Sequence, residues 1–411
     1  MTLKRVVVTG MGAISPLGND LPSLIQGIEN RRSAVCRMEG WELYNGLRCL
    51  VGAPAELKNE KAIPRQSRRS MGRMSIFSVQ AALQALADAG MERDNLSSGR
   101  LGCIIGSTMG SAQSINDVFE IMLPNRDLTR MPGLKFFQCV SHTAAMNVAQ
   151  FLGITGCVMA TSAACASGLQ AVGAGYDLIR LGKQDVVLCG GTEELHPTVT
   201  GSFDVLFATS SSYNDEPRKT PRPFDEGRDG LVCGEGSAIL VLEEYERALG
   251  RKAKIHGEII GYNTGASGVH VSHSNKDRMV TCIREALDDA RVLPKDIDYV
   301  NAHATGTVQG DKEEAEAIRE IFNDSVPVSS LKGYVGHTLG ASGALELIVS
   351  LVMMDKGVVY PTLNLDVVSS DCRGIRHVTE PLERDIKIMV KNCFAFGGIN
   401  AALVCRKFSH Q

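Results

Sequence analysis

The stretch Ser162-Ala-Ala-Cys165-Ala-Ser-Gly168 limits what this chain can fold into more than any other. An apolar run, Gly156 to Ala160, precedes it, and a segment with helical periodicity, Leu169 to Leu181, follows. Strand, tight turn of small residues, helix: that order lifts one side chain to the top of a sheet and sets it at a helix start, as nucleophile elbows do. The lifted residue is Cys165. Unpaired N–H groups and the helix dipole favour negative charge there, so the thiol is expected to lean toward thiolate. Ala163, Ala164, Ala166, Ser167 and Gly168 leave room for a carbonyl group and for close backbone approach. A cysteine in such a turn also serves as a buried packing group, and the rest of the chain has to decide between the two.

Similar strand–turn–helix units recur on both sides of the elbow. In the first half, strands are expected at Arg5–Gly10, Leu101–Gly106, Asp185–Glu193 and Ser237–Glu243, with helices at Leu21–Glu29, Ser75–Ala89, in the alanine-rich part of Pro132–Gly153, and at Glu244–Gly250. Gly10-Met-Gly12-Ala-Ile-Ser15 imitates the start of a dinucleotide fingerprint, but Ser15 holds the third glycine position and Pro16 follows, so a tight turn with a capping serine is the expectation. From Ala253 the pattern starts again. Helices are expected at Asp277–Arg291, Asp311–Phe322 and Gly343–Asp355, strands at Ile297–Asn301 and Val326–Ser330, and two apolar strands within Ile388–Phe408. Alternating βα units in both halves predict a duplicated α/β fold of layered sheets and helices, divided at 1–251 and 252–411.

Composition excludes several classes. A net charge of −3 over 411 residues argues against nucleic acid as the main partner. The densest basic cluster is Arg65-Gln-Ser-Arg-Arg69, a solvated face or a contact for an acidic protein. The 12 cysteines are scattered, with no C-x-x-C pair and no Cys/His grouping at zinc spacing, which fits reduced cytoplasmic thiols and neither disulfides nor a metal site. The N-terminus reads as a strand and not a signal peptide, and no run approaches the roughly 20 apolar residues of a membrane span.

Reactive side chains sit at strand ends: Cys165, His303 in Asn301-Ala-His303-Ala-Thr305-Gly-Thr307, and Lys332 and His337 in Lys332-Gly-Tyr-Val-Gly-His337. A glycine turn, Phe394-Ala-Phe396-Gly-Gly-Ile-Asn400, joins the last two strands. In α/β sheets such strand ends converge on one crevice. With Val6-Val-Val-Thr-Gly-Met-Gly12, Arg222-Pro-Phe-Asp-Glu-Gly-Arg-Asp-Gly230, Gly310-Asp-Lys-Glu-Glu314 and Gly336-His337-Thr-Leu-Gly-Ala-Ser-Gly343, these motifs stand in the order and spacing of a known family. The chain resembles the elongating β-ketoacyl-[acyl-carrier-protein] synthases of thiolase fold over nearly its whole length.

The resemblance implies a thiolase-like αβαβα sandwich and a role for each residue. Cys165 takes an acyl chain from a carrier protein. His303 and His337 donate to the malonyl thioester carbonyl as carbon dioxide leaves. The N–H groups of Cys165 and Phe396 form the oxyanion hole. Lys332 pairs with Glu314 and sets the local charge. Thr305 and Thr307 bind the pantetheine arm, Phe396 gates the two half-reactions, and Met109 floors the acyl pocket. No free cofactor or metal is implied, since 4′-phosphopantetheine arrives on the carrier. The implied partners are acyl carrier protein, docking at Arg65, Arg68 and Arg69, and a second subunit, as a homodimer or as a heterodimer with a ketosynthase-like chain. Ala395 and Ile399 depart from the family's usual glycine and threonine; the added methyl of Ala395 restricts the gating loop and points to a specialised pathway. A degradative thiolase would need a second reactive cysteine, for which Cys393 is the one candidate. A non-catalytic partner subunit would lack Cys165.

Overall fold

The structure, a computed structural model, describes residues 3–92, 96–123, 125–270 and 274–409. Its main sheet contains β1 (Val6–Ile14), β2 (Leu101–Gly106), β3 (Val158–Met159), β4 (Val186–Glu193), β5 (Gly236–Glu244), β6 (Gly257–Ala266), β7 (Tyr299–Asn301), β8 (Pro327–Ser329), β9 (Arg376–His377), β10 (Ile388–Ala395) and β11 (Ile399–Arg406). Most of β1, β4, β5, β10 and β11 is buried at every position, as in strands covered on both faces.

The sheet runs β9-β8-β7-β10-β11-β6-β1-β5-β4-β2-β3. Outward from its centre the two directions match. From β1 come two antiparallel neighbours, β5 and β4, then β2 and β3 in parallel. From β6 come antiparallel β11 and β10, then parallel β7 and β8. The halves are joined through three residue pairs between β1 and β6, at Val6–Val8.

Helices complete five layers. The helices α1 (Arg73–Asp88) and α2 (Thr143–Leu152) cover the outside of the first half-sheet. The elbow helix α3 (Ser167–Arg180) lies between the half-sheets. On the outside of the second are α4 (Lys276–Ala290) and α5 (Val308–Phe322), while α6 (Ser342–Lys356) packs against α3 in the middle. Three apolar clusters fill the spaces. The largest surrounds α3 and α6, and one lies under each outer layer. This is the αβαβα arrangement the resemblance implied. The central helix α6 has nearly every side chain buried, because sheet or helix meets it on all sides.

One local expectation is met only in part. Gly10 to Ile14 is strand, since β1 continues through to Ile14 with a bulge between Val8 and Gly10. The tight turn with its capping serine comes after it at Ser15–Gly18, where Ser15 Oγ accepts the Leu17 N–H at 3.3 Å. The glycines of β1 are there for packing. A Cβ at Gly10 or Gly12 would lie 2.1 Å from the carbonyl oxygen of Ala85 or Ala81 on α1, so the strand and helix approach more closely than any side chain permits.

Candidate active site

The elbow forms as its residues dictate. Ala164 adopts φ 47°, an unusual value for a residue with a side chain, and Cys165 follows just before the N-terminus of α3. The turn is held by Ser167, whose Oγ donates to the Ala164 carbonyl at 2.6 Å and accepts from the Ala163 N–H at 2.8 Å. Gly168 lets the loop after His337 close over the helix: a Cβ there would lie 2.5 Å from the Gly340 carbonyl oxygen.

Both histidines meet the elbow. The Sγ of Cys165 and ring nitrogens of His303 and His337 lie within 4.8 Å of one another, and the two imidazoles stand edge to face, centroids 5.1 Å apart. His303 follows β7, and its loop is clasped by α5. The Glu314 carboxylate accepts the N–H groups of His303 (2.8 Å) and Ala304 (2.6 Å), and Asp311 accepts that of Thr305 (2.9 Å). His337 is anchored through its backbone, its N–H on the Val232 carbonyl at 2.7 Å. Neither ring nitrogen of His337 has a protein partner among the described residues, and the residue lines the cavity described below. Burial, with Lys332 and Lys391 nearby, drives both imidazoles well below the usual histidine range, so they are neutral at pH 7.

Lys332 does not pair with Glu314. Its Nζ donates to Glu346 Oε1 at 2.7 Å, and Lys391 Nζ donates to Glu346 Oε2 at 2.6 Å. All three groups are buried. Glu314 instead receives neutral donors, the two N–H groups and Asn392 Nδ2 at 3.2 Å. The reason is layer geometry: Glu314 sits on the outer helix α5, whereas Glu346 sits on the central α6 beneath Lys332.

The thiolate lean expected of Cys165 is also not met in the free site. Burial pushes the thiol well up, Cys393 adds to the rise, and Lys332 offsets part of it. A helix terminus supplies at most about 2 kcal/mol, whereas full burial shifts a group by roughly 3–5 pK units, so desolvation wins.

A cavity of about 340 Å³ leads to this cluster. Cys165, His303, His337, Thr305, Thr307 and Phe396 line it, and Phe207 stands at its side. The hydroxyls of Thr305 and Thr307 lie 3.1 Å apart. Phe396 packs on Phe203 with centroids 5.6 Å apart, ahead of Gly397 (φ 88°) and Gly398 (φ 73°). Met109 is not on this wall. It is 47% exposed in the turn after β2. All twelve cysteines are free, and no helix among the described residues is long and apolar enough to cross a membrane.

Known proteins resemble this chain over nearly its whole length. The profile for the β-ketoacyl synthase N-terminal domain matches residues 3–248, and that for the C-terminal domain matches residues 256–366. The chain belongs to the β-ketoacyl synthase family. Among this family's members, the 3-oxoacyl-[acyl-carrier-protein] synthase 1 of Haemophilus influenzae is 34% identical, over 99% of this chain and 100% of that protein. A crystal structure of a β-ketoacyl synthase from Burkholderia phymatum STM815 superposes with a TM-score of 0.96 at 43% identity, over 99% of this chain and 100% of that one. The AntDE:AntF structure, a type II polyketide acyl-carrier protein in complex with its ketosynthase bound to the hexaketide, superposes at 0.91 with 29% identity, over 99% of this chain and 100% of that one.

Three residues of this β-ketoacyl synthase site, Glu346, Lys391 and Glu193, escaped the sequence reading, and Cys393 was weighed there only as a thiolase cysteine. Glu346 and Lys391 form the buried charge cluster. Cys393 donates its thiol hydrogen to the Cys165 carbonyl at 3.0 Å and lies 3.6 Å from His303 Nδ1. Glu193 accepts the N–H groups of Thr108 (3.0 Å) and Gly340 (3.1 Å), tying the loop after β2 to the loop after His337. One signal was readable: a glutamate and a lysine in the interior of apolar segments.

Proposed function

We propose that this chain condenses acyl groups by decarboxylative Claisen chemistry on carrier-protein thioesters. The observation that carries the reading is the meeting of Cys165, His303 and His337 at the inner end of one cavity. Cys165 Sγ attacks the acyl thioester as its proton passes to a neighbouring imidazole and on to the departing pantetheine sulfur. A malonyl carrier then occupies the same cavity. Its C–C bond to the carboxylate breaks, carbon dioxide leaves, and the electron pair becomes an enolate held by N–H donors of His303 and His337. That carbanion attacks the Cys165 thioester. The thiolate leaves, and the product is a 3-oxoacyl carrier protein two carbons longer. The N–H groups of Cys165 and Phe396 hold the oxyanion of both tetrahedral intermediates, and Thr305 and Thr307 hold the arm. Lys332 and Glu314 act behind the histidines, the first on charge, the second on loop position.

The partner is an acyl carrier protein, whose acidic surface suits Arg65 and Arg69, both exposed on or beside a short helix. The carrier's 4′-phosphopantetheine supplies the reacting thioester, and the chemistry calls for no free cofactor or metal. Residues 1–251 provide the nucleophile and 252–411 the histidines, the lysines and the gate. Twelve free thiols suit the cytoplasm. The assembly is a homodimer built on β3, the edge strand of the sheet, whose Val158 and Met159 are 43% and 38% exposed. A second copy pairing there also brings apolar cover to the region of Met109, where a shared acyl-pocket floor then forms.

The test is intact-protein mass after mixing with carrier proteins loaded with short, long, saturated and polyunsaturated chains. One acyl adduct, lost in Cys165→Ala while the fold persists, is expected, and the best-loaded chain indicates the pathway. A folded wild-type protein that accepts no chain would instead make this the half of a heterodimer that needs its ketosynthase-like partner.

A further inference from the structure

Lys391 is a second buried lysine on a carboxylate that already has one. Glu346 Oε1 accepts from Lys332 and from Ser342 Oγ (3.0 Å), so one cation already satisfies the residue's charge. Burying a further ammonium costs several kcal/mol unless an anion offsets it. Within the cluster that anion is Glu314, which touches no cation and is clasped only by neutral donors. Two lysines and two glutamates then balance. The link between Lys391 and Glu314 is Asn392. Lys391 Nζ donates to the Asn392 carbonyl at 2.6 Å, and Asn392 Nδ2 donates to Glu314.

We propose that Lys391 is a positioning residue: it supplies the counter-charge that keeps Glu314 an anion, and that anion holds the His303–Ala304 backbone in place for condensation. The inference rests on the active-site reading above. The groups facing Glu314 are few. Asp311, one turn earlier on α5, is of like charge and is itself answered by Arg228. Lys391, Asn392 and Cys393 come from β10, with the His303 and Ala304 backbone on the other side, while Lys332 and Glu346 act on Cys393 and both lysines act on His337. Burial raises Glu314 above the usual carboxylate range, and Lys391 is the cation that opposes the rise.

The experiment compares melting temperatures of wild type, Lys391→Gln, Glu314→Gln and the double variant at pH 5.5 and 8. Differences between variants cancel the groups they share. Without Lys391 the carboxylate is costlier to ionise in the fold, so the loss of stability grows with pH. The expected loss for Lys391→Gln at pH 8 is at least about twice that at pH 5.5, and in the Glu314→Gln background the pH dependence disappears. The acid limb of malonyl decarboxylation in Lys391→Gln moves up by about one pH unit, with KM for the malonyl carrier unchanged. An equal loss at both pH values, or a pH dependence that survives Glu314→Gln, overturns the proposal and leaves Lys391 a packing group. Should Lys391→Gln not fold, Glu314→Gln decides alone over pH 5.5–9. Because the folded value lies above the unfolded one, its cost falls as pH rises. A cost that has levelled off by pH 8 shows an anion and supports the balance, and one still falling there shows a protonated carboxyl and refutes it. The melting comparison needs no activity. A chain that forms no acyl adduct would sink the condensation reading, while the melting temperatures would still separate a charge role for Lys391 from a packing role.

Discussion

Glu346 holds two lysines, and removal of the carboxylate is therefore the most expensive single change at the site. Glu346→Gln takes from both buried cations the carboxylate they touch and is expected to cost about 3–5 kcal/mol in urea unfolding. Lys332→Met leaves the Lys391 pair intact and should cost less than half of that. An equal cost would mean the two lysines do not share the charge. His303→Ala should lower malonyl decarboxylation about 100-fold while Cys165 still forms its acyl adduct; unchanged decarboxylation would remove His303 from enolate stabilisation. Both rings should remain neutral at pH 5.5 in ring-nitrogen NMR. Because their folded values lie below that of the unfolded chain, the stability they contribute is full above about pH 6.5 and is lost as pH falls below it. A midpoint near 6.5 for either ring in the folded protein would refute this. Cys165, His303 and His337 were legible because each stands in a short motif of small residues whose local form announces a side chain set in a turn at the end of a strand. The true partner of Lys332 was not legible. Glu314 and Glu346 are both plausible in sequence, and only the stacking of α6 beneath Lys332 and α5 outside it separates them.

At the scale of elements, glycines set how closely layers approach. Gly168→Ala puts a methyl against the Gly340 carbonyl, where neither helix nor loop has a flexible group to move. The expected cost is about 1–3 kcal/mol, with a matching loss of condensation as the His337 loop is displaced; a variant with wild-type unfolding would show that the central layer gives way. Gly397 differs. A Cβ there meets nothing within 4 Å, but φ is 88°. Gly397→Ala should therefore slow transfer to the malonyl carrier through strain in the Phe396 turn, at about 1 kcal/mol of stability, seen as accumulation of acyl-enzyme in the mass spectrum. Most helices and strands lie within a few residues of their expected positions, because hydrophobic periodicity and caps are local. The continuation of β1 through Gly10 and Gly12 was hidden, since glycine in a sequence signals a turn as readily as a crowded strand. The apolar run before the elbow yields only the two residues of β3, the last strand at that edge of the sheet.

That open edge governs the molecule as a whole. Light scattering should give twice 44.2 kDa, and Met159→Lys, which places a charge on an edge strand, should shift the mass to the monomer and impair loading of long acyl chains. A monomeric wild type would refute the edge as an interface. The order of parallel and antiparallel neighbours about the β1–β6 junction was legible only as a repeat of βα units. The resemblance, and not periodicity, supplied the five layers, because long-range pairing leaves no local mark. The cavity that reaches Cys165 has a further consequence for traffic. Acyl donor and malonyl donor present their arms through the same opening, so one carrier must depart before the other arrives. Steady-state rates should then give parallel double-reciprocal lines, and an excess of either donor should slow turnover by holding the opening shut against the other. Flux through this protein is thus set by the ratio of the two loaded carriers, and no rise in the supply of one alone can speed it indefinitely.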